Sequence, residues 1–467
     1  LRILLLRMGW VGEADDLAHG PVPGVTGKLK CRGQVIETTR KVVYEISLKE
    51  IGYRPEPYAV ADALMYADGR AIVEMQDMSI RFDGWTREGI EEIWQTEGDS
   101  EVASVRKGPL FDNDRILAFA IGNPSEAFGE PYRVFDTERL IARLPGPPYK
   151  FLDRIVEIDC EPWKMQAGGK IVAEYDVPPE EWYFAENVQG DMPFAVLLEI
   201  ALQPCGWLAG YIGSALTSDV DLSFRNLGGK ATQYFAIRPD AGTFSIKVHI
   251  TQASQSGGMI IQHYDYEVHS RQGMAYKGNT YFGFFSKQAL AQQVGIRDAQ
   301  LYAPTPEEVS RGRSFEFPQD GLFPGPRMRM IDRVEMFVPD GGPNRLGFIK
   351  GIKRVDPEEW FFKAHFFQDP VCPGSLGLES FLQLLKVVMA EHFEVIPGGR
   401  MEAIAVGHAH EWVYRGQILP SDNLVTVEAV ITAIDLENRL IRADGYLSVD
   451  GRIIYGVKQF TAAWREA

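Results

Sequence analysis

The chain has 467 residues, of which 45% are hydrophobic and 24% charged, with a formal net charge of −16. That length exceeds what one core organises and predicts about three domains, while the acidic balance lacks the basic footprint of a nucleic-acid partner. Four cysteines (Cys31, Cys160, Cys205, Cys372) without CxxC spacing read as unpaired thiols in a reducing cytoplasm, and no apolar run is expected to span a membrane.

In chain order, "LRILLLRMGW" (1–10) reads as the end of an apolar helix, too short to span a bilayer and without a cleavage site. The missing initiator Met predicts a fragment of something longer. "KCRGQVIE" (30–37) and "YADGRAIVEMQDMSIRF" (66–82) follow as strands with an Asp-Gly turn. An amphipathic piece, "REGIEEIW" (87–94), and the Pro/Gly-rich "AIGNPSEAFGEPY" (120–132) read as a covering segment.

"GPPYKFLDRI" from Gly146 then matches "GPRMRMIDRV" from Gly325, and "PEEWYFAENVQGD" from Pro179 matches "PEEWFFKAHFFQD" from Pro357. "LLEIALQ" matches "GLESFLQ", which sets Glu199 on Glu379 and Gln203 on Gln383. One unit thus occurs twice, and the first stretch resembles its back half: "KCRGQVIE" is similar to "VYRGQILP", and "YADGRAIVEMQDMSIRF" to "SVDGRIIYGVKQFTAAW". The expected division is 1–90 (partial copy), 91–145 (join), 146–286 (middle copy), 287–321 (join) and 322–467 (last copy). Within the last copy, "SLGLESFLQLLKVVMAEHF" is apolar around nearly its whole circumference, so other structure must wrap it. "NLVTVEAVITAI" and "RLIRADGYLSV" alternate with period two, as antiparallel strands do. A sheet curled around one buried helix covers both patterns. "GHAH" (407–410) has metal-like His spacing at His408 and His410 but no third ligand nearby, so a strand is expected there.

"HFFQDPVCPGSLGLE" (365–379), followed by that helix and sheet, resembles the 3-hydroxyacyl-acyl carrier protein dehydratases of the β-hydroxydecanoyl type. The tandem copies resemble the dehydratase region of polyunsaturated fatty acid synthases. The resemblance implies an α+β hot-dog fold, two full copies plus one partial, and dehydration of 3-hydroxyacyl thioesters to 2-enoyl thioesters. It leaves trans-2/cis-3 isomerisation open, because the isomerase type carries Asp where this chain has Glu379. It also implies an acyl carrier protein bearing a phosphopantetheine-linked substrate, other synthase domains as partners, and no cofactor or metal. Hot-dog thioesterases and a non-catalytic carrier-docking scaffold are the rival functions.

The chemistry needs a base at C2, an acid at the C3 hydroxyl and a partner for the thioester oxygen. His365 is the candidate base, since neutral imidazole is available near pH 7. A carboxyl on an apolar helix is pushed toward its protonated form and can act as the acid. Gly374 lets backbone approach the thioester, and Gln203 is a candidate substrate contact. In the middle copy Asn187 stands at the position of His365 and Phe194 at that of Gly374, so its own loop is expected to be inactive. In the family resembled, hot dogs pair and each histidine faces the partner's carboxylate. Carried over, this pairs the middle and last copies and sets His365 against Glu199. A homodimer of last copies, with Glu379 as the acid, is the alternative.

Overall fold

Alternating burial along the strands and near-continuous burial along two helices set the architecture. The computed structural model describes residues 1, 18–52, 56–84, 86, 109–319, 321–394 and 399–465. The helix end expected at 1–10, beyond its first residue, and the amphipathic piece at 87–94 lie outside them. The chain divides into two compact units, Leu1–Arg106 and Lys107–Ala467.

The first unit holds strands β1 (Ala18–Gly20), β2 (Lys28–Cys31), β3 (Val42–Gly52), β4 (Tyr58–Ala67) and β5 (Arg70–Asp83). β5 pairs with β4 and β4 with β3, while β1 and β2 both add to β5. The β4–β5 hairpin turns at Asp68 and Gly69, whose φ values of 47° and 81° are what a two-residue primed turn requires.

In the second unit the middle repeat contributes β6 (Arg154–Asp159), β7 (Lys170–Asp176), β8 (Ser223–Gln233), β9 (Thr243–Ser256), β10 (Met259–Ser270) and β11 (Gly273–Phe285). β12 (Arg313–Glu316) comes from the join, and from the last repeat come β13 (Arg333–Val338), β14 (Phe348–Arg354), β15 (Arg400–Ala403), β16 (Ala409–Tyr414), β17 (Leu424–Asp435), β18 (Leu440–Val449) and β19 (Arg452–Arg465). All lie in one sheet. Outward from its centre the order is β8-β11-β10-β9-β7-β6 on one side and β16-β19-β18-β17-β14-β13 on the other. The two halves have the same strand order and meet at their equivalent strands. β8 and β16 pair antiparallel, from Ala409 opposite Thr232 to Val413 opposite Gly228.

The first unit repeats the back half of this order, with β2, β5, β4 and β3 standing as β16, β19, β18 and β17 do. Local contacts agree. The Arg32 N–H donates to Ile72 O at 2.8 Å, as the Arg415 N–H does to Ile454 O at 2.8 Å. A Cβ on Gly33 would stand 2.6 Å from Ile72, and one on Gly416 2.4 Å from Ile454, so both "RGQ" glycines are fixed by the same close packing.

Each half wraps one long helix, Phe194–Tyr211 or Gly374–His392, and each helix starts directly after a proline. Every residue from Phe194 to Gly210 is buried, and burial of each large aliphatic side chain contributes about 1.5–3 kcal/mol. Contrary to the sequence expectation, Phe194–Tyr211 is long and apolar enough to cross a membrane by length and composition; the fold wraps it instead within its sheet. Three short helices at Asn113–Ile121, Pro124–Phe128 and Val134–Thr137 cover its far end. There Phe119 and Phe128 close over Gly210, and the Tyr132 hydroxyl donates to the Gly210 carbonyl. This is the α+β hot-dog arrangement, two copies of it sharing one sheet.

Candidate active site

The two core helices touch near their starts, and the candidate residues meet there. A cavity of about 80 Å³ is lined by His365, Gly374 and Ser375 of the last repeat and by Glu199 and Gln203 of the middle one. Glu379 is not among its lining residues.

His365 follows the short helix Trp360–Ala364 and is 7% exposed. Its Nδ1 lies 3.0 Å from the Val371 carbonyl oxygen. A carbonyl only accepts, so Nδ1 carries the proton and Nε2 keeps its lone pair. Burial lowers the imidazole pKa to about 3; the Val371 bond opposes this, the Arg225 charge adds to it, and the Asp369 charge opposes it. The ring is therefore neutral at any physiological pH.

Arg225, on β8 of the middle repeat, clamps the loop that carries this histidine. Its guanidinium holds Asp369 through two bonds of 2.7 and 2.9 Å, and its Nε donates to Gln417 at 2.7 Å. Burial alone would raise the Asp369 carboxyl, but the Arg225 bonds and charge outweigh it and hold the carboxyl below its ordinary value. A bidentate arginine fixes orientation as well as charge.

Glu199 is 6% exposed on its apolar helix. The Ser375 hydroxyl donates to Oε1 at 2.6 Å, and the Gln203 amide donates to Oε2 at 3.1 Å. Burial raises its pKa, and these two bonds pull only partly back. The result is a carboxyl biased toward its protonated form and held across the interface by the residue after Gly374. Tyr149 supports Ser375 from behind, with 2.9 Å between the hydroxyls.

Gln203 has both ends engaged. Its Oε1 accepts from the Phe151 N–H at 2.7 Å, and its Nε2 donates to Tyr149 O at 2.9 Å. Gln383 makes the equivalent pair, with Met330 N–H at 2.9 Å and Met328 O at 2.7 Å. In both repeats, then, this glutamine pins the strap before the first strand. Gln203 adds the bond to Glu199.

Glu379 faces the corresponding place in the middle repeat. It accepts from the Ala195 N–H, its Oε2 has no partner among the described residues, and burial raises it to about 7 against the pull of Lys386. Phe194 fills the space that Gly374 leaves open on the other side, packing on His410 at 5.2 Å and Phe460 at 5.9 Å between ring centroids. Asn187 spends its amide on the Asp191 carbonyl at 2.8 Å. His410 lies in β16 with Nε2 2.9 Å from the Tyr276 hydroxyl, and no group of metal-ligating side chains occurs among the described residues.

The sequence reading did not single out Ser375, Tyr149, Arg225, Asp369 or Tyr414. Ser375 and Asp369 sit inside the quoted "HFFQDPVCPGSLGLE", and Tyr414 inside "VYRGQILP", so position in a motif was the available signal. Tyr149 likewise sits inside "GPPYKFLDRI". Arg225 carries none, because its partner belongs to the other repeat.

Against known proteins, the FabA-like domain matches residues 3–76, 144–277 and 323–458. One polypeptide of a polyunsaturated fatty acid synthase from Thraustochytrium sp. is 29% identical, over 98% of this chain and 40% of its own length. The chain thus spans about 40% of the length of that curated relative. Among solved structures, the dehydratase domain of RzxB from Pseudomonas fluorescens matches at 12% identity and a TM-score of 0.41, covering 68% of this chain and 98% of its own. An acyl-ACP thioesterase from Bacteroides thetaiotaomicron matches at 8% identity and a TM-score of 0.36, covering 62% and 97%.

Proposed function

The chain belongs to the FabA-like domain family, and from that premise we propose that residues 146–286 and 322–467 form one dehydratase acting on 3-hydroxyacyl thioesters carried by acyl carrier protein. The single observation behind this reading is that His365 and Glu199, from different repeats, line one cavity from which Glu379 is absent.

Nε2 of His365 takes the proton from C2 of the substrate. The electron pair of that C–H bond forms the C1–C2 double bond of an enolate, and the carbonyl pair moves onto the thioester oxygen. When this pair returns, the C2–C3 double bond forms and the C3–O bond breaks. The leaving hydroxyl takes the Glu199 proton and departs as water. Histidine is left protonated and the glutamate ionised, so one proton passes back to restore both. Each partner supplies a factor of about 10²–10⁴ when correctly placed. Leu202, Phe224 and Phe282 line the same cavity and give it an apolar wall for the acyl chain. The similarity to the synthase polypeptide supports polyunsaturated fatty acid assembly as the setting, with other synthase domains as neighbours.

The test is incubation with a 3-hydroxyacyl-carrier thioester, with NMR of the alkene for position and geometry and a free-thiol assay in parallel. A trans-2-enoyl product supports the reading, and an additional cis-3 product adds isomerisation. Thiol release without alkene would replace it by thioester hydrolysis.

A further inference from the structure

Tyr414 ends β16 with its ring edge-on to Tyr455, at 4.5 Å between centroids. It is 5% exposed and lines the cavity of His365 and Glu199, yet its hydroxyl has no hydrogen-bond partner among the described residues. Buried hydroxyls are normally paired, as Tyr149 is with Ser375. An orphan hydroxyl on a residue that lines the candidate cavity is explained if a ligand completes it.

The hydroxyl is also placed against the start of the last core helix. A Cβ on Gly374 would stand 3.0 Å from the Tyr414 oxygen and 2.8 Å from Cζ, so any larger residue would displace the ring. Gly374 opens a helix of 19 residues, and its N–H has no acceptor within that helix. Two unlike donors therefore sit side by side at the cavity wall, a phenol and a backbone amide at the positive end of a helix.

We propose that Tyr414 donates a hydrogen bond to the thioester oxygen of the substrate, next to the Gly374 N–H, and holds the negative charge that this oxygen gains as C2 loses its proton. This rests on the dehydratase reading above. The tyrosine transfers no proton. Burial first, and then the neighbouring Tyr455 and Glu199, keep its phenol protonated, as a donor requires. The carbonyl pair moves onto oxygen while both donors hold it and returns when the C3–O bond breaks, so the step needs no other reactant.

Tyr414→Phe removes the hydroxyl and keeps the ring packed on Gly374 and Tyr455. The expected result is a fall in kcat/KM on the order of 10²-fold, the usual size for one oxyanion donor. Its melting temperature should be unchanged or higher, because no protein group loses a partner. An independent readout is isotope-edited infrared spectroscopy of a bound saturated acyl-pantetheine thioester with carbon-13 at the carbonyl. The wild type should lower the carbonyl frequency, and Tyr414→Phe should return it part of the way to the free value. A kcat/KM within about threefold of wild type together with an unmoved carbonyl band would overturn the proposal. If the wild type dehydrates no 3-hydroxyacyl thioester yet the band still responds to the hydroxyl, the hydrogen bond stands and the dehydratase reading falls.

Discussion

The middle and last repeats share one strand order and one core helix, yet they treat the same position in opposite ways. At the helix start the last repeat has Gly374 and leaves a cavity, while the middle repeat has Phe194 and fills the equivalent space with a ring packed on His410 and Phe460. Four residues before Asp191 the middle repeat has an amide bonded to backbone; six before Val371 the last has an imidazole bonded to backbone through Nδ1, which leaves the lone pair on Nε2. The carboxylates divide the other way. Glu199, on the helix whose own loop lacks histidine, reaches the open cavity, and Glu379, on the helix that follows the histidine loop, faces the filled one. The open cavity is thus lined by a pair of repeats, with the histidine and glycine from one and the carboxylate from the other.

The sharpest break of this comparison is at the base. His365→Ala should lower the dehydration rate by about 10²-fold or more, whereas Asn187→Ala should leave it at wild type. Steady-state rates on variants with wild-type circular dichroism check this, and equal losses at both positions would erase the asymmetry. Next in size is the acid. Glu199→Gln keeps the shape and removes the proton donor, so turnover should fall about 10²-fold while Glu379→Gln retains it. The reverse result would point to pairing of last repeats from separate chains.

The filled side is tested through stability. Phe194→Ala should cost about 3–5 kcal/mol in urea unfolding, the usual range for a buried phenylalanine, with activity per folded molecule retained. The smallest effect is a pH dependence at Glu379. Its folded pKa of about 7 lies above the ordinary 4.5. Between these values the folded state holds a proton that the unfolded chain has released. Its contribution is therefore fully present below pH 4.5 and is lost as pH rises through 7. Unfolding midpoints of wild type should fall relative to Glu379→Gln across that window and run parallel to them above it.

Much of this was legible because two independent periodicities met one long motif. An all-apolar helix beside period-two strands can be satisfied by few arrangements, and Asp450-Gly451 marked its hairpin as Asp68-Gly69 did. The equivalences of Asn187 with His365 and of Phe194 with Gly374 could be read by eye, and with them the idea that the repeats complement each other. The clamp from Arg225 to Asp369 could not, because an arginine in a strand does not announce a partner 144 residues away. Nor could Tyr414 as a cavity residue, since alternation tells which strand face is buried and not what lies across it. For Gly374 the sequence suggested room for substrate, and the structure adds room for a tyrosine ring.

The pairing of β8 with β16 has a consequence for how such a protein can change. Two identical subunits meeting at equivalent strands must carry every substitution twice, once on each side of the axis. Here the two sides are encoded separately. A plug at one helix start and a gap at the other is a combination that symmetry forbids and a single polypeptide permits. One chamber can therefore drift, close, or acquire a new occupant while the other keeps its chemistry unaltered.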